Sequence, residues 1–405
     1  MKFKQRCSLI AEHGLRLFVA LVLVGESIAG AAPSGQLRVD QNGVIGRNGE
    51  PCRAIGVNYF DAFSRLLHDP DDRTYLEGLT VLSRAHVPFI RFSVSGFWPD
   101  DFRVYAENPS AFFRPLDEFV RAAEDKSIGL VPSLFWNRAT VPDLLGESVS
   151  AWGDPSSKTV AFMRKFTRSV VERYRESPAI WAWEFGNEMN LYVDLPNATR
   201  HRPKINVSKG TPNGRSSADD LTIEDATNAW TAFAATVREI DPYRPLSLGG
   251  SLPRPYAYNN MKKGSWTIDT RDEFRAALAE HNPVAASLLS VHVYPVHAGK
   301  YFRGENATIL EILREVKRTA AQRKQAVFVG EFGASEDLGH DAARERFVEL
   351  LSAIEQSGVA LAAVWVFDFQ HQGATYDIRP GGRRQYQLEL ISDANLRLAN
   401  DGRLC

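Results

Sequence analysis

Two rhythms of apolar and polar positions run along this chain. Residues 36–50 alternate apolar and polar around Asn42-Gly43 and Asn48-Gly49. Asn-Gly supplies the positive φ angles of tight hairpin turns, so a small hairpin is expected there. Beyond it, short apolar runs rich in Val, Ile and Phe alternate with longer amphipathic stretches. The apolar runs predict strands near 53–59, 88–94, 129–135, 180–186, 245–250, 288–294, 326–331 and 361–367. Most are almost continuously apolar, as parallel strands covered on both faces must be. Helical spacing predicts helices near 72–86, 113–127, 156–176, 222–240, 270–281, 305–323 and 340–357. In the third of these, Val160, Phe162, Met163, Phe166, Val170 and Val171 form one stripe, and Pro155 stands where a first turn tolerates it.

Strand–helix alternation repeated about eight times predicts an α/β fold with a parallel sheet, closed as a (β/α)8 TIM barrel behind the short N-terminal hairpin. A doubly wound open sheet is the competing fold. It would favour a glycine-rich turn after the first strand, where this chain has Asn58-Tyr59-Phe60-Asp61. One connection, around 191–221, is long and rich in Pro, Asn, Lys, Gly and Ser. Long loops of this kind tend to be functional or disordered. This one is expected to shape or cover a substrate cleft, so that its deletion alters substrate preference or KM more than stability.

The first residues follow neither rhythm. Lys2, Lys4, Arg6 and Arg16 precede the apolar run 17–24, and small residues follow at 27–32. That order predicts a secretory signal peptide over 1–31, cut after Ala29 or Ala31, rather than a membrane span of ~20 residues. The mature protein, one domain over 36–405, is then expected outside the cytoplasm, secreted or periplasmic, and free of the membrane. In that setting Cys52 and Cys405 either pair or remain free thiols. The formal net charge of -1 gives no reason to expect a nucleic-acid partner. Nothing in the pattern demands an oligomer, so a monomer is expected.

The active site of such a barrel lies at the C-terminal ends of its strands. Strand four ends in Trp183-Glu184-Phe185-Gly186-Asn187-Glu188, and strand seven in Val329-Gly330-Glu331-Phe332-Gly333. Strands four and seven stand across an eight-stranded barrel from one another, so Glu188 and Glu331 can face each other. Glycoside hydrolysis needs such a pair: one carboxylic acid protonates the departing oxygen, the other attacks the anomeric carbon or activates water.

These two segments resemble the strand-four and strand-seven signatures of glycoside hydrolase family 5, the cellulase and mannanase family of a retaining clan of (β/α)8 barrels. The run Arg53-Ala54-Ile55-Gly56-Val57-Asn58 after the hairpin resembles its first strand. The resemblance covers about residues 36–370. It implies Glu188 as acid/base and Glu331 as nucleophile, with Asn187 on the sugar 2-hydroxyl and Arg91 beside the nucleophile. It also implies His292 and Tyr294 as a strand-six pair, Tyr294 donating to the nucleophile, and Trp365 as the floor of a sugar subsite. It implies no cofactor, and a β-mannan or β-glucan as the carbohydrate substrate, cleaved internally with retention. Arg91 is expected to hold Glu331 ionised by lowering its pKa, and the charge of Glu331 to raise Glu188. Many members carry a histidine at the end of strand three. Here the segment reads Ser133-Leu134-Phe135-Trp136-Asn137, which offers Trp136 and Asn137 as sugar contacts instead.

Other aromatics are less telling. Trp98 and Trp152 suit sugar faces or loop anchoring equally, whereas Trp181 and Trp183 read as core. Two other functions stand beside the hydrolase reading. A metal-dependent barrel hydrolase would use His292, His297 and His371, but the sequence has no HxH or HExxH spacing. A non-catalytic carbohydrate-binding barrel is the other, since fold alone proves no function.

Overall fold

The computed structural model describes residues 35–405. The predicted signal segment lies outside them. Among the described residues no helix is long and apolar enough to cross a membrane.

Eight parallel strands form the central sheet. In chain order they are β1 (Ala54–Asn58), β2 (Phe89–Ser93), β3 (Gly129–Phe135) and β4 (Trp183–Gly186). There follow β5 (Leu246–Ser247), β6 (Leu288–Val293), β7 (Ala326–Phe332) and β8 (Leu361–Val364). Each pairs with the next in sequence except β5 with β6, and β8 returns to pair with β1 in parallel register, Leu361 opposite Ala54. That pairing curls the sheet into a barrel, as the alternation predicts. The seam lies between β5 and β6, where side chains supply the bonds: Leu246 N–H donates to Ser287 Oγ at 2.9 Å, and Ser290 Oγ–H to the Gly250 carbonyl at 3.2 Å.

Two apolar layers follow from strand periodicity. Val57, Ile90, Leu130, Val291, Val327 and Val329 face outward, into one buried cluster with the helices. Ala54, Phe89, Val131, Trp181, Leu288 and Phe328 fill the lower barrel in a second cluster. The hairpin closes that end. Its strands Leu37–Val39 and Ile45–Arg47 pair antiparallel, followed by Glu50–Pro51. Leu37 and Ile45 enter the inner cluster, and the Arg47 guanidinium lies 4.8 Å from the Trp181 ring centre. Gly43 and Gly49 have φ of +79° and +88°, as the Asn-Gly turns require.

The periodicity misplaces some helices. The stretch read as 113–127 is Pro109–Asp125, with a shorter helix at Pro99–Glu107 before it. An unpredicted helix at Gln385–Asn400 completes the eighth unit. It docks through Asn395, whose side chain accepts from the Ile55 amide at 3.0 Å and donates to the Ile55 carbonyl at 2.8 Å.

Cys52 and Cys405 pair across 353 residues, joining the last residue of the chain to the lead-in of β1. Closing so long a loop removes much entropy from the unfolded chain. Cys52→Ser is expected to cost about 2–4 kcal/mol of stability, seen as a lower thermal midpoint that added reductant does not lower further.

Candidate active site

Above the apolar plug the barrel interior turns polar. Asn58, Arg91, Ser133, Glu184, Ser247, Ser290, His292 and Glu331 all point into it, none more than 5% exposed. Arg91 is at the centre. Its Nε donates to Glu184 Oε1 at 2.7 Å, and Nη1 to Asn58 Oδ1 and Glu331 Oε1, both at 3.0 Å. Nη2 donates to Asn187 Oδ1 at 2.8 Å. Ser247 Oγ–H satisfies the second oxygen of Glu184 at 2.9 Å. A fully buried guanidinium needs such partners, because an unpaired buried charge costs several kcal/mol. Glu184, Asn58 and Ser247 had drawn no role from the sequence. A carboxylate inside an otherwise apolar strand was the one available signal for Glu184.

Glu331 owes its orientation to a break in register. Ala326 and Phe328 face the barrel interior, so strict alternation would turn residue 330 inward and 331 outward. The β6–β7 pairing steps from Val329 opposite Val291 to Glu331 opposite His292, skipping Gly330. This bulge turns Glu331 inward and sends Phe332 to the outer layer. Only glycine fits at the skipped position: a Cβ there would lie 2.8 Å from His292 Nε2.

Glu188 follows β4 with φ of +50°, left-handed and strained for a residue with a side chain. Its amide donates to the Gly249 carbonyl at 2.8 Å. Gly249 itself has φ of +69°, and a Cβ there would lie 1.8 Å from the Gly186 carbonyl oxygen. The close approach of β4 to the segment after β5 therefore fixes where Glu188 sits.

The expected residues largely meet here. Oxygens of Glu188 and Glu331 and a ring nitrogen of His292 lie within 4.8 Å of one another. His297 and His371 are not in that group. Tyr294 donates its phenolic hydrogen to Glu331 Oε2 at 2.6 Å. His292 Nδ1 lies 2.9 Å from Glu188 Oε1 and 3.5 Å from Glu331 Oε2. Trp136 stacks beside Trp365, centroids 6.0 Å apart and planes 25° from parallel, with Phe60 4.7 Å from Trp136. The Arg91 guanidinium lies 4.5 Å from the Trp136 ring centre.

Asn137 is placed differently from the other expected contacts. Its Nδ2 donates to the Phe97 carbonyl at 3.0 Å and its Oδ1 accepts from Ala139 at 3.1 Å, so both ends of its amide brace the loop. Trp152 is fully buried and donates to the Arg138 carbonyl, which settles its two readings in favour of an anchor. Trp98 is half-buried against Phe97. Trp181 and Trp183 are core, as read. The 191–221 connection is braced by ion pairs. Arg215 holds Asp143 at 2.6 Å, both buried, and Arg202 holds Asp220 at 2.7 Å. Deleting that loop would strand the Asp143 carboxylate, so it carries stability as well as any share in the cleft.

The expected pKa order is corrected by burial. Burial raises the carboxyls of both glutamates. On Glu331, Arg91 and the Tyr294 hydroxyl oppose that rise without overturning it, so Arg91 does not bring it below the ordinary range. Glu188 is raised chiefly by its own burial, while the Ser251 hydroxyl, Arg91 and Arg254 pull it down, and the nearby charge of Glu188 adds to the rise on Glu331. Burial also lowers His292 to about 4, so at neutral pH it is an uncharged hydrogen-bonding partner. What distinguishes the two carboxyls is contact: Glu331 sits on a fixed cation and a phenol, whereas Glu188 keeps 26% of its side chain exposed. Two carboxyls this close across a barrel mouth are equipped to act on one glycosidic bond from opposite sides.

Fold and site together define a polysaccharide-hydrolase type of barrel. Residues 133–369 match the family model described as cellulase, glycosyl hydrolase family 5, and the chain belongs to that family. It is 28% identical over 167 residues to the probable mannan endo-1,4-beta-mannosidase C of Aspergillus terreus. That stretch is 39% of this chain and 36% of the relative, so the match spans little more than a third of the relative's length. Among solved structures, a glycoside hydrolase family 5 mannosidase from Rhizomucor miehei superposes with a TM-score of 0.63 at 12% identity, covering 91% of this chain and 99% of that one. An endo-1,4-beta-mannanase of the same organism gives 0.63 at 15%, covering 89% and 99%. The endo-1,4-beta-D-mannanase of Thermotoga petrophila gives 0.58 at 13%, covering 84% and 99%. At these identities the structural likeness speaks for the fold.

Tyr294→Phe removes a hydrogen bond that favours ionised Glu331. The Glu331 pKa then rises, and activity that needs its carboxylate is lost at a higher pH than before. The acid limb of the kcat/KM profile is expected to move to higher pH, the alkaline limb staying in place.

Proposed function

We propose that this protein is a retaining β-mannan hydrolase, with Glu331 as nucleophile and Glu188 as acid/base. The observation that carries this is the approach of the two carboxyls to within 4.8 Å, with only Glu331 held by Arg91 and Tyr294. A separation of ~5–5.5 Å suits direct attack, whereas ~6.5–9.5 Å would leave room for a water and give inversion. Mannan is favoured over other β-glycans because the curated relative and the solved neighbours described above carry mannanase or mannosidase names.

In this reading a sugar ring rests on Trp365 beside Trp136. Arg91 and Tyr294 stabilise Glu331 as the anion, and Glu188, whose carboxyl burial favours in the protonated form, gives its proton to the leaving oxygen. Glu331 attacks the anomeric carbon and forms a glycosyl ester. Glu188, now basic, takes a proton from water as that water displaces Glu331. Asn187, oriented by Arg91, faces the sugar 2-hydroxyl, where a hydrogen bond strengthens in the oxocarbenium-like transition state. Neutral His292 holds the Glu188 carboxyl in place. The reading includes export behind a cleaved 1–31 leader, one catalytic domain over 36–405, and action as a monomer without a cofactor.

Sugar release should be assayed from β-mannan, glucomannan, cellulose and mixed-linkage glucan, with Glu331→Ala alongside. Release from mannan is expected to drop about a thousandfold or more in the variant. Proton NMR of the first product should show the β-anomer. First appearance of the α-anomer would exclude the double displacement, and wild-type release from glucans alone would exclude mannan.

A further inference from the structure

A cavity of about 650 Å³ opens between the loops that follow β6 and β7. Tyr294 and Trp365 line it, so it is continuous with the site around Glu331. Beyond them its lining is mostly apolar: Val296, Ala298, Ile309, Leu338 and Leu350. The other polar groups on the lining are Tyr376, Ser335, whose hydroxyl donates to Asp337 at 2.9 Å, and the exposed pair Arg346 and Glu349, 2.7 Å apart. Val296 and Leu338 are 57% and 52% exposed, although Trp365 at the inner end belongs to a packed aromatic group.

Such a lining is ill suited to a bare sugar. Hydroxyls entering it would lose water and find few partners, at a cost of about 1–3 kcal/mol for each unpaired group. An apolar chain would instead gain from every methylene it buries. Val296 and Leu338 count because they continue the apolar lining to the mouth of the cavity, and contiguous apolar surface of this kind marks ligand-binding grooves. The volume exceeds what one sugar substituent needs, and its continuity with Trp365 limits the occupant to a group attached to the bound sugar.

We propose that this cavity receives an apolar alkyl or acyl group carried by the sugar bound over Trp365. The enzyme would then favour acylated or alkylated glycans over bare ones. The choice of a mannose handle rests on the functional reading above; the cavity itself does not.

The test uses the full-length mature protein carrying Glu188→Gln to block turnover. Isothermal titration is run with methyl, butyl and octyl β-mannosides, and with methyl β-mannosides bearing 6-O-acetyl, butanoyl or octanoyl groups. Affinity is expected to rise about two- to threefold per methylene, at least about a hundredfold from methyl to octyl. Leu338→Asp should flatten that rise, and Val296→Asp serves as a second variant at an equally exposed position. Unchanged circular dichroism and thermal midpoint would show that either variant folds. A rise in the alkyl series alone places the attachment at the anomeric oxygen, and in the acyl series alone at the 6-hydroxyl. Affinity independent of chain length in both series, or a rise that survives both variants, overturns the proposal. Absence of mannan hydrolysis by the wild type would sink the functional reading while leaving the chain-length comparison decisive for the cavity.

Discussion

The buried guanidinium of Arg91 is the constraint around which the upper barrel is organised. A cation with no solvent contact survives only with close anions and saturated hydrogen bonds. Here those partners come from three strands or their ends: Asn58 on β1, Glu184 on β4 with Asn187 just after it, and Glu331 on β7. The same contacts that make Arg91 tolerable hold Glu331 and Asn187 in place. Glu184 balances the charge of the guanidinium that sits against the candidate nucleophile, and Ser247 holds it there. The polar layer over an apolar plug follows from this arrangement.

Two local departures from regular backbone set the carboxyls against each other. A bulge at Gly330 turns Glu331 inward, and a left-handed residue at the end of β4 places Glu188. Both rest on glycines whose Cβ atoms would collide with neighbours, Gly330 with His292 and Gly249 with the Gly186 carbonyl. Strain of this kind persists where the surroundings over-determine it, and the surroundings here are the candidate site itself.

Much of this was legible in the sequence. Apolar runs placed β3 at 129–135 and β7 within one residue, because strands buried on both faces leave an unbroken apolar signature. The run at 245–250 shortened to Leu246–Ser247, since Gly249 and Gly250 bend away to reach β4. The helix 385–400 escaped notice because Gln, Glu, Asp and Asn interrupt its apolar stripe, and one of those residues, Asn395, is what docks it. Asn187, Arg91, His292, Tyr294 and Trp365, which the family resemblance implied, lie around the two glutamates, together with Trp136, which stands where this chain departs from the family after β3. Spacing gave no hint of the bulge, because alternation assigns Glu331 to the wrong face. Nor did it show that burial would raise both carboxyls, since desolvation depends on neighbours far apart in the chain. Asn137 looked like a sugar contact from its place after β3, but the Phe97 carbonyl, shared with the Thr140 hydroxyl, and the Ala139 amide engage it.

The central claim is that Glu331, inward on its bulge and held by Arg91, becomes covalently attached to the sugar. The most direct measurement is mass spectrometry after incubation with 2-deoxy-2-fluoro-β-mannosyl fluoride, which forms the glycosyl ester and then slows its hydrolysis. The account predicts one added fluoromannosyl group, located by peptide sequencing on Glu331 and absent in Glu331→Gln. A label on Glu188, or turnover of the reagent with no covalent species and an inverted product, would contradict it.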